Sequence, residues 1–175
     1  MKSFAFFALI AMCLLACSKQ DDEILVVTDT EFNILYGSTA AEQAYAADRD
    51  ADGNYLLAGT IKSQNGDPGN PDVWVLHLDR QGKILWQKNF GGSAHDGASA
   101  IASTKDGGSV FAGYTHSNDG DVSGNHGNSD AWVVKLDKSG NKEWQISLGG
   151  SASDHASSIR QTNDGGFILA GQTAS

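Results

Sequence analysis

The stretch DGGSVFAGYT, residues Asp106 to Thr115, returns as DGGFILAGQT at Asp164 to Thr173 and stands earlier, one residue shorter, as DGNYLLAGT at Asp52 to Thr60. Two short runs of apolar and small residues joined through an Asp-Gly turn are hairpin chemistry, because such a turn accepts positive φ and matches the twist of the flanking strands. Around the hairpin the agreement continues at a fixed distance. Trp74, Asp79, Gly82, Trp86, Gly91, Gly92 and Asp96 each stand 58 positions before Trp132, Asp137, Gly140, Trp144, Gly149, Gly150 and Asp154. Self-similarity at a period of tens of residues marks one supersecondary unit stacked on copies of itself.

Within one unit the pattern reads as four short strands. Ala98 to Thr104 alternates small and apolar residues, Lys105 to Gly108 turns, and Ser109 to Thr115 returns. After a loop of Gly, Asn and Asp come a third strand, Ala131 to Asp137, a turn with Gly140 at the left-handed position, and a fourth strand, Lys142 to Leu148. The preceding copy repeats these as Asp72 to Asp79, a turn at Arg80 to Gly82, and Lys83 to Phe90. In the third strand Trp132, Val134 and Leu136 share one side while Val133 and the Lys135 stem take the other, so both faces expect a neighbour. Ala and Gly fill the first two strands, which suits crowded inner strands, and Trp144 belongs to a roomier outer one. The expected fold is all-β, with four-stranded antiparallel blades of a β-propeller. No amphipathic helical stretch follows the first residues, which removes α-solenoids.

The expected division is an isolated strand at 31–36, repeats at about 37–92 and 93–150, and a partial repeat at 151–175, making about two and a half blades plus one N-terminal strand. Four blades, the fewest that close a ring, would need about 230 residues at this period. The expectation is therefore the front part of a longer protein, with a short form assembling from several chains or an open stack as alternatives.

The spacing Leu136, Asp137, Gly140, Trp144, and before it Leu78, Asp79, Gly82, Trp86, resembles the motif of quinoprotein-type propeller repeats. The longer pattern of DGG, an apolar run, AG, D-x-W-V-x-x-L-D and a closing GG resembles a family of bacterial extracellular repeat proteins with propeller-like blades, over residues 37 to 175. The resemblance implies the fold; such folds host many functions. The repeats exceed quinoprotein length, and no residue set suggests a quinone site.

The first residues carry an address. Lys2 precedes an unbroken apolar run of 13 residues, Phe4 to Ala16, too short for a stable membrane span and fitting a secretory signal over 1–16. Leu14, Leu15, Ala16 and Cys17 resemble the lipobox of bacterial lipoproteins, which implies cleavage before Cys17 and acylation of its thiol and new amino group. Ser18 to Glu23 within the tether 17–30 resembles the acidic export signal of Gram-negative surface lipoproteins, which implies an outer-membrane or cell-surface location. Cys13 would leave with the signal, and with Cys17 acylated no thiol remains for a disulfide, zinc or redox couple. A net charge of −9 argues against nucleic acid as a partner.

Chemistry is sparse. His95 with Asp96, and Asp154 with His155, invert their order between copies and read as loop residues that satisfy backbone groups and brace the turn between units. One loop has metal-like spacing: Asp119, Asp121 and Ser123 alternate before Gly124, and Asp130 falls at the twelfth position, an echo of calcium loops. Asp48, Asp50, Asp52 and Gly53 echo it again; Asx-type turns are the alternative at both. The reading is a lipid-anchored surface protein whose repeats bind or scaffold an unknown protein or glycan, with calcium as the one candidate cofactor and no catalytic constellation. The alternatives are a piece of a longer extracellular enzyme, glycan-directed or quinoprotein-like, and an outer-membrane assembly factor.

Overall fold

The chain divides into a leading unit, Met1–Asn33, and a repeat unit, Ile34–Ser175. The computed structural model describes residues 34–37, 42–62 and 70–174, all in the second unit. The expected signal segment, Cys17 and the acidic tether therefore lie outside the described residues.

Ten strands follow in order: β1 Glu42–Arg49, β2 Tyr55–Lys62, β3 Pro71–Leu78, β4 Ile84–Phe90, β5 Asp96–Ser103, β6 Ser109–Thr115, β7 Asp130–Leu136, β8 Lys142–Leu148, β9 Asp154–Gln161 and β10 Phe167–Thr173. They form two four-stranded antiparallel sheets, β1-β2-β3-β4 and β5-β6-β7-β8, and a two-stranded sheet of β9 and β10. Among the described residues there is no helix. The strand expected at 31–36 needs correction: Ile34 to Gly37 are irregular, and 31–33 lie outside the described residues. Tyr36 is nonetheless held, its phenol donating to the Gly82 carbonyl and its ring packing against Trp74, Leu76 and Leu78.

The hairpins turn where glycine is spaced for it. Gly53, Gly107 and Gly165 close the first hairpin of each unit at φ of 83°, 82° and 91°, and Gly82 and Gly140 the second at 82° and 78°. Aspartates finish these turns by accepting backbone amides: Asp106 Oδ1 from Gly108 at 3.0 Å, and Asp137 Oδ1 from Ser139 and Asn141 at 2.8 Å each.

The middle sheet is buried from both sides, as the two apolar faces of its third strand require. Trp132, Val134, Leu136, Phe111 and Ile101 pack toward Val73, Val75, Leu56 and Phe90 of the first sheet. On the opposite face Val110, Ala112 and Val133 meet Ala156 and Ile159 of β9. Lys135 shares that inner burial, only 4 % exposed, and its Nζ ion-pairs with Asp106 at 2.8 Å and Glu143 at 2.9 Å. Outer strands lock across units as well: Trp86 Nε1 donates to Lys138 O at 3.1 Å and its ring covers Gly140.

A bulge recurs in every unit and explains the repeated Ala-Gly. The pairing shifts between Ala44 and Ala46, between Ala98 and Ala100, and opposite Ala170 and Gly171, leaving Tyr45, Ser99 and Ser157 as the extra residues. The bulged strand pushes a carbonyl toward its neighbour. A side chain on Gly59, Gly113 or Gly171 would run into the backbone oxygen of Gln43, Gly97 or His155.

Candidate functional site

Two kinds of polar residue stand at the end of the sheets where β5 and β9 begin. The first kind repeats and is structural. Buried Asp96 accepts the Gly92 amide at 2.9 Å and the Ser117 hydroxyl at 2.8 Å through Oδ2, and the Thr115 hydroxyl through Oδ1. Asp154 accepts the Gly150 amide at 2.8 Å in the same way. Both brace the glycine-pair turn into the next unit, as their recurrence suggests.

The second kind does not repeat, and there the structure adds what the sequence concealed. Tyr114, on β6, faces Gly97 across the pair of strands, and the missing side chain of Gly97 leaves the room its ring occupies. In the neighbouring units the matching pairs are Gln43 with Thr60 and His155 with Gln172. The Tyr114 phenol and His95 Nε2 are 3.0 Å apart, and its ring stacks on His155 at 5.0 Å between centroids, tilted by 26°. His95 in turn stacks on His116 at 5.9 Å, and His116 Nδ1 donates to Asn128 O at 2.8 Å. On the far side His155 Nε2 meets the Ser99 hydroxyl at 2.9 Å, the bulge having turned Ser99 toward the next unit. Four rings and a hydroxyl thus converge from β5, β6, β9 and the segments beside them.

Burial disfavours the charged forms of three of these rings. Burial lowers the pKa of His95, helped by the neighbouring His116, and burial alone lowers that of His155. Burial, with Tyr45 and Asp96 nearby, raises the Tyr114 phenol. A chain of net charge −9 presents here a patch of stacked rings with hydrogen-bonding edges.

The calcium spacing is not realised as a coordination shell. Asp119 Oδ1 accepts the Ser93 amide at 2.8 Å, while Asp121 pairs with Lys142 Nζ at 2.7 Å. The Ser123 hydroxyl accepts Gln145 Nε2 at 2.7 Å. Asp130 starts β7, fully buried, its Oδ2 taking His126 Nδ1 at 2.6 Å. The loop is tied to the preceding sheet and to β8, so Asp119, Asp121 and Ser123 answer separate donors, while the buried Asp130 Oδ1 has no hydrogen-bond partner among the described residues. Asp119 and Asp121 do share with Asp72 the wall of a cavity of about 390 Å³ at the junction of the first two units. Among the described residues no three potential ligands gather about one point. The Asp48 to Asp52 echo fares likewise: Asp48 Oδ2 accepts the Ser103 amide at 2.7 Å, and Asp50 caps Asn54 and holds His77 at 2.9 Å.

No model of a known protein family matches the chain, and no curated protein does.

Proposed function

We propose that the chain is a lipid-anchored bacterial surface protein whose repeats form blades of a β-propeller and serve as a binding module. The observation that carries the binding role is the contrast at one end of the sheets. Frame residues such as Asp96 and Asp154, or Gly113 and Gly171, recur from unit to unit, whereas Tyr114, His95, His116 and His155 have no counterparts and still converge. Stacked rings edged by a phenol, imidazoles and a hydroxyl suit the face of a sugar, which offers C–H groups for stacking and hydroxyls for hydrogen bonds. The ligand class of this reading is a neutral glycan. Anchoring rests on the resemblance of Leu14 to Cys17 to a lipobox, and more than one acyl chain at Cys17 would give stable attachment.

The anchor is tested by labelling cells with radioactive palmitate, which should enter the wild type and not Cys17→Ser. The site is tested by titrating neutral gluco-, manno- and xylo-oligosaccharides while following tryptophan fluorescence. Saturable binding that disappears in Tyr114→Ala, with the melting temperature kept, supports the module; no binding of any of the three ends the glycan reading. A second reading draws on the 2.9 Å approach of Ser99 Oγ to His155 Nε2, a nucleophile and neutral base in contact. Labelling of Ser99 by a fluorophosphonate would favour that hydrolase.

A further inference from the structure

The opposite end of the same strands carries the arginines of the chain, set among the turn aspartates. The chain has three arginines, Arg49, Arg80 and Arg160, and all three stand at the turn end of the sheets: at the close of β1, in the β3–β4 turn and near the close of β9. Arg49 and Arg160, with Lys105 between them in sequence, line a cavity of about 500 Å³.

Like charges are held together there without counter-charges. The point where a Cβ on Gly53 would sit is 3.1 Å from Arg49 Nη2 and 3.1 Å from Arg80 Nε. Both guanidinium groups are fixed by carbonyls: Arg49 Nε donates to Gly53 O at 3.0 Å and Arg80 Nε to Asp52 O at 2.7 Å. Lys105 Nζ is likewise positioned by Thr162 O at 3.2 Å and Asn163 O at 2.9 Å, and Arg160 Nη1 by Ile159 O at 3.3 Å. Carbonyls orient a cation without neutralising it. Among the described residues none of the four pairs with a carboxylate within 4.0 Å.

Carboxylates are nonetheless close. Asp48 and Asp50 line the same cavity, but Asp48 Oδ2 accepts the Ser103 amide, and the two oxygens of Asp50 are taken by Asn54 and His77. The guanidinium N–H groups beyond the carbonyl contacts remain as donors in the fork geometry that fits a planar or tetrahedral oxyanion.

We propose that this turn end is a binding site for an oxyanion, the sulfate, phosphate monoester or carboxylate group of an acidic ligand, with Arg49, Lys105 and Arg160 lining the cavity and Arg80 beside Arg49 as a further donor. The site is separate from the ring cluster, and its ligand is opposite in character: charged where the other is neutral.

The test titrates the full chain, held in a neutral detergent, with inorganic sulfate, inorganic phosphate and glucuronate by calorimetry at low ionic strength. Saturable binding is expected for at least one, with affinity on the order of 1 mM for an ion of so few atoms. The anion bound tightest identifies the group. Arg80→Gln should weaken binding about tenfold or more, the loss of one charge-assisted donor. Arg160→Gln should weaken it too, while Lys62→Gln, at the other end of β2, should leave it unchanged. Added salt should weaken it further, because the Debye length falls from about 30 Å at 0.01 M to about 8 Å at 0.15 M. A melting curve for each variant separates lost binding from lost folding, and Lys105→Gln replaces any variant that unfolds. Absence of saturable binding for all three anions overturns the proposal. So does equal affinity in Arg80→Gln and Arg160→Gln, which would mean an adventitious ion only.

Discussion

Gly113→Ala tests whether the recurring bulge dictates the recurring Ala-Gly. An added Cβ would stand 1.9 Å from Gly97 O and 2.8 Å from Ala98 Cα, where real Cβ atoms stay beyond 3.0 Å. Both obstacles are backbone in the middle of a paired strand, with Ala98 and Ala112 buried on either side, so no side chain can swing away. Relief means moving β5 and β6 apart by about 1 Å, an overpacking strain that costs about 2–3 kcal/mol. For a domain of this size that corresponds to a fall in melting temperature of roughly 5–10 °C. Gly166→Ala is the control. Its nearest neighbours are the flexible side-chain oxygens of Thr162 at 3.1 Å and Asp164 at 3.4 Å, so the change should stay within about 0.5 kcal/mol. Differential scanning calorimetry of both variants decides it. A Gly113→Ala protein that melts with the wild type would refute the account, and the Ala-Gly repeat would then need another cause.

The buried Lys135 gives a second expectation. Its partnership, with help from the Thr104 hydroxyl and the Gly108 amide, holds the Asp106 carboxyl at a pKa of about 2. A depressed carboxyl stabilises the fold above its unfolded value, 3.8, and that contribution is lost as pH falls from there to about 2. Because Asp106 is half exposed, the amount is at most about 1 kcal/mol. Urea unfolding at stepped pH should show that loss in wild type and a shallower one in Lys135→Met, which removes the cation and fills its space. The third concerns the Asp119 to Asp130 loop: with Asp119, Asp121 and Ser123 held by separate partners, millimolar calcium should raise the melting temperature no more than magnesium does. A calcium-specific rise abolished by Asp121→Ala would show that the loop rearranges around the ion.

Most of the frame was legible because it rests on local rules. Strand ends match expectation to within two residues for β5 to β8, since the Asp-Gly and Gly140-type turns fix both register and length. The alternation of Trp132, Val133, Val134 and Lys135 announced a sheet covered on both sides. What stayed hidden depended on distance in the chain. Ser99 and His155 are 56 positions apart, and nothing local tells that the bulge aims the one at the other. Tyr114 needed Gly97 to be small, a pairing visible only once register is known. The calcium spacing could not be weighed locally for a related reason. Alternate oxygens make a shell only if the loop closes on itself, whereas this one is fastened to Ser93, Lys142 and Gln145.

The placement of acids explains how an acidic protein keeps a cationic end. Asp50, Asp79, Asp106, Asp137 and Asp164 each accept an amide of their own turn, at 2.8 to 3.2 Å. Asp96 and Asp154 do the same for the turn between units, and Asp48 for the neighbouring sheet. A carboxylate fixed on a backbone donor at one spacing per repeat is already engaged where an arginine stands nearby. Arg49 and Arg160 have no basic counterpart one repeat away, whereas Arg80 recurs as Lys138, and its neighbour Asp79 is engaged by the amides of its own turn. Repetition sets the negative charges by the demands of turns, and the arginines that depart from it are left with carbonyls for partners. The same divergence governs the other end, where Tyr114 and three histidines meet because no frame requirement fills their positions. In both places the residues free to specify a ligand are those the repeat does not dictate.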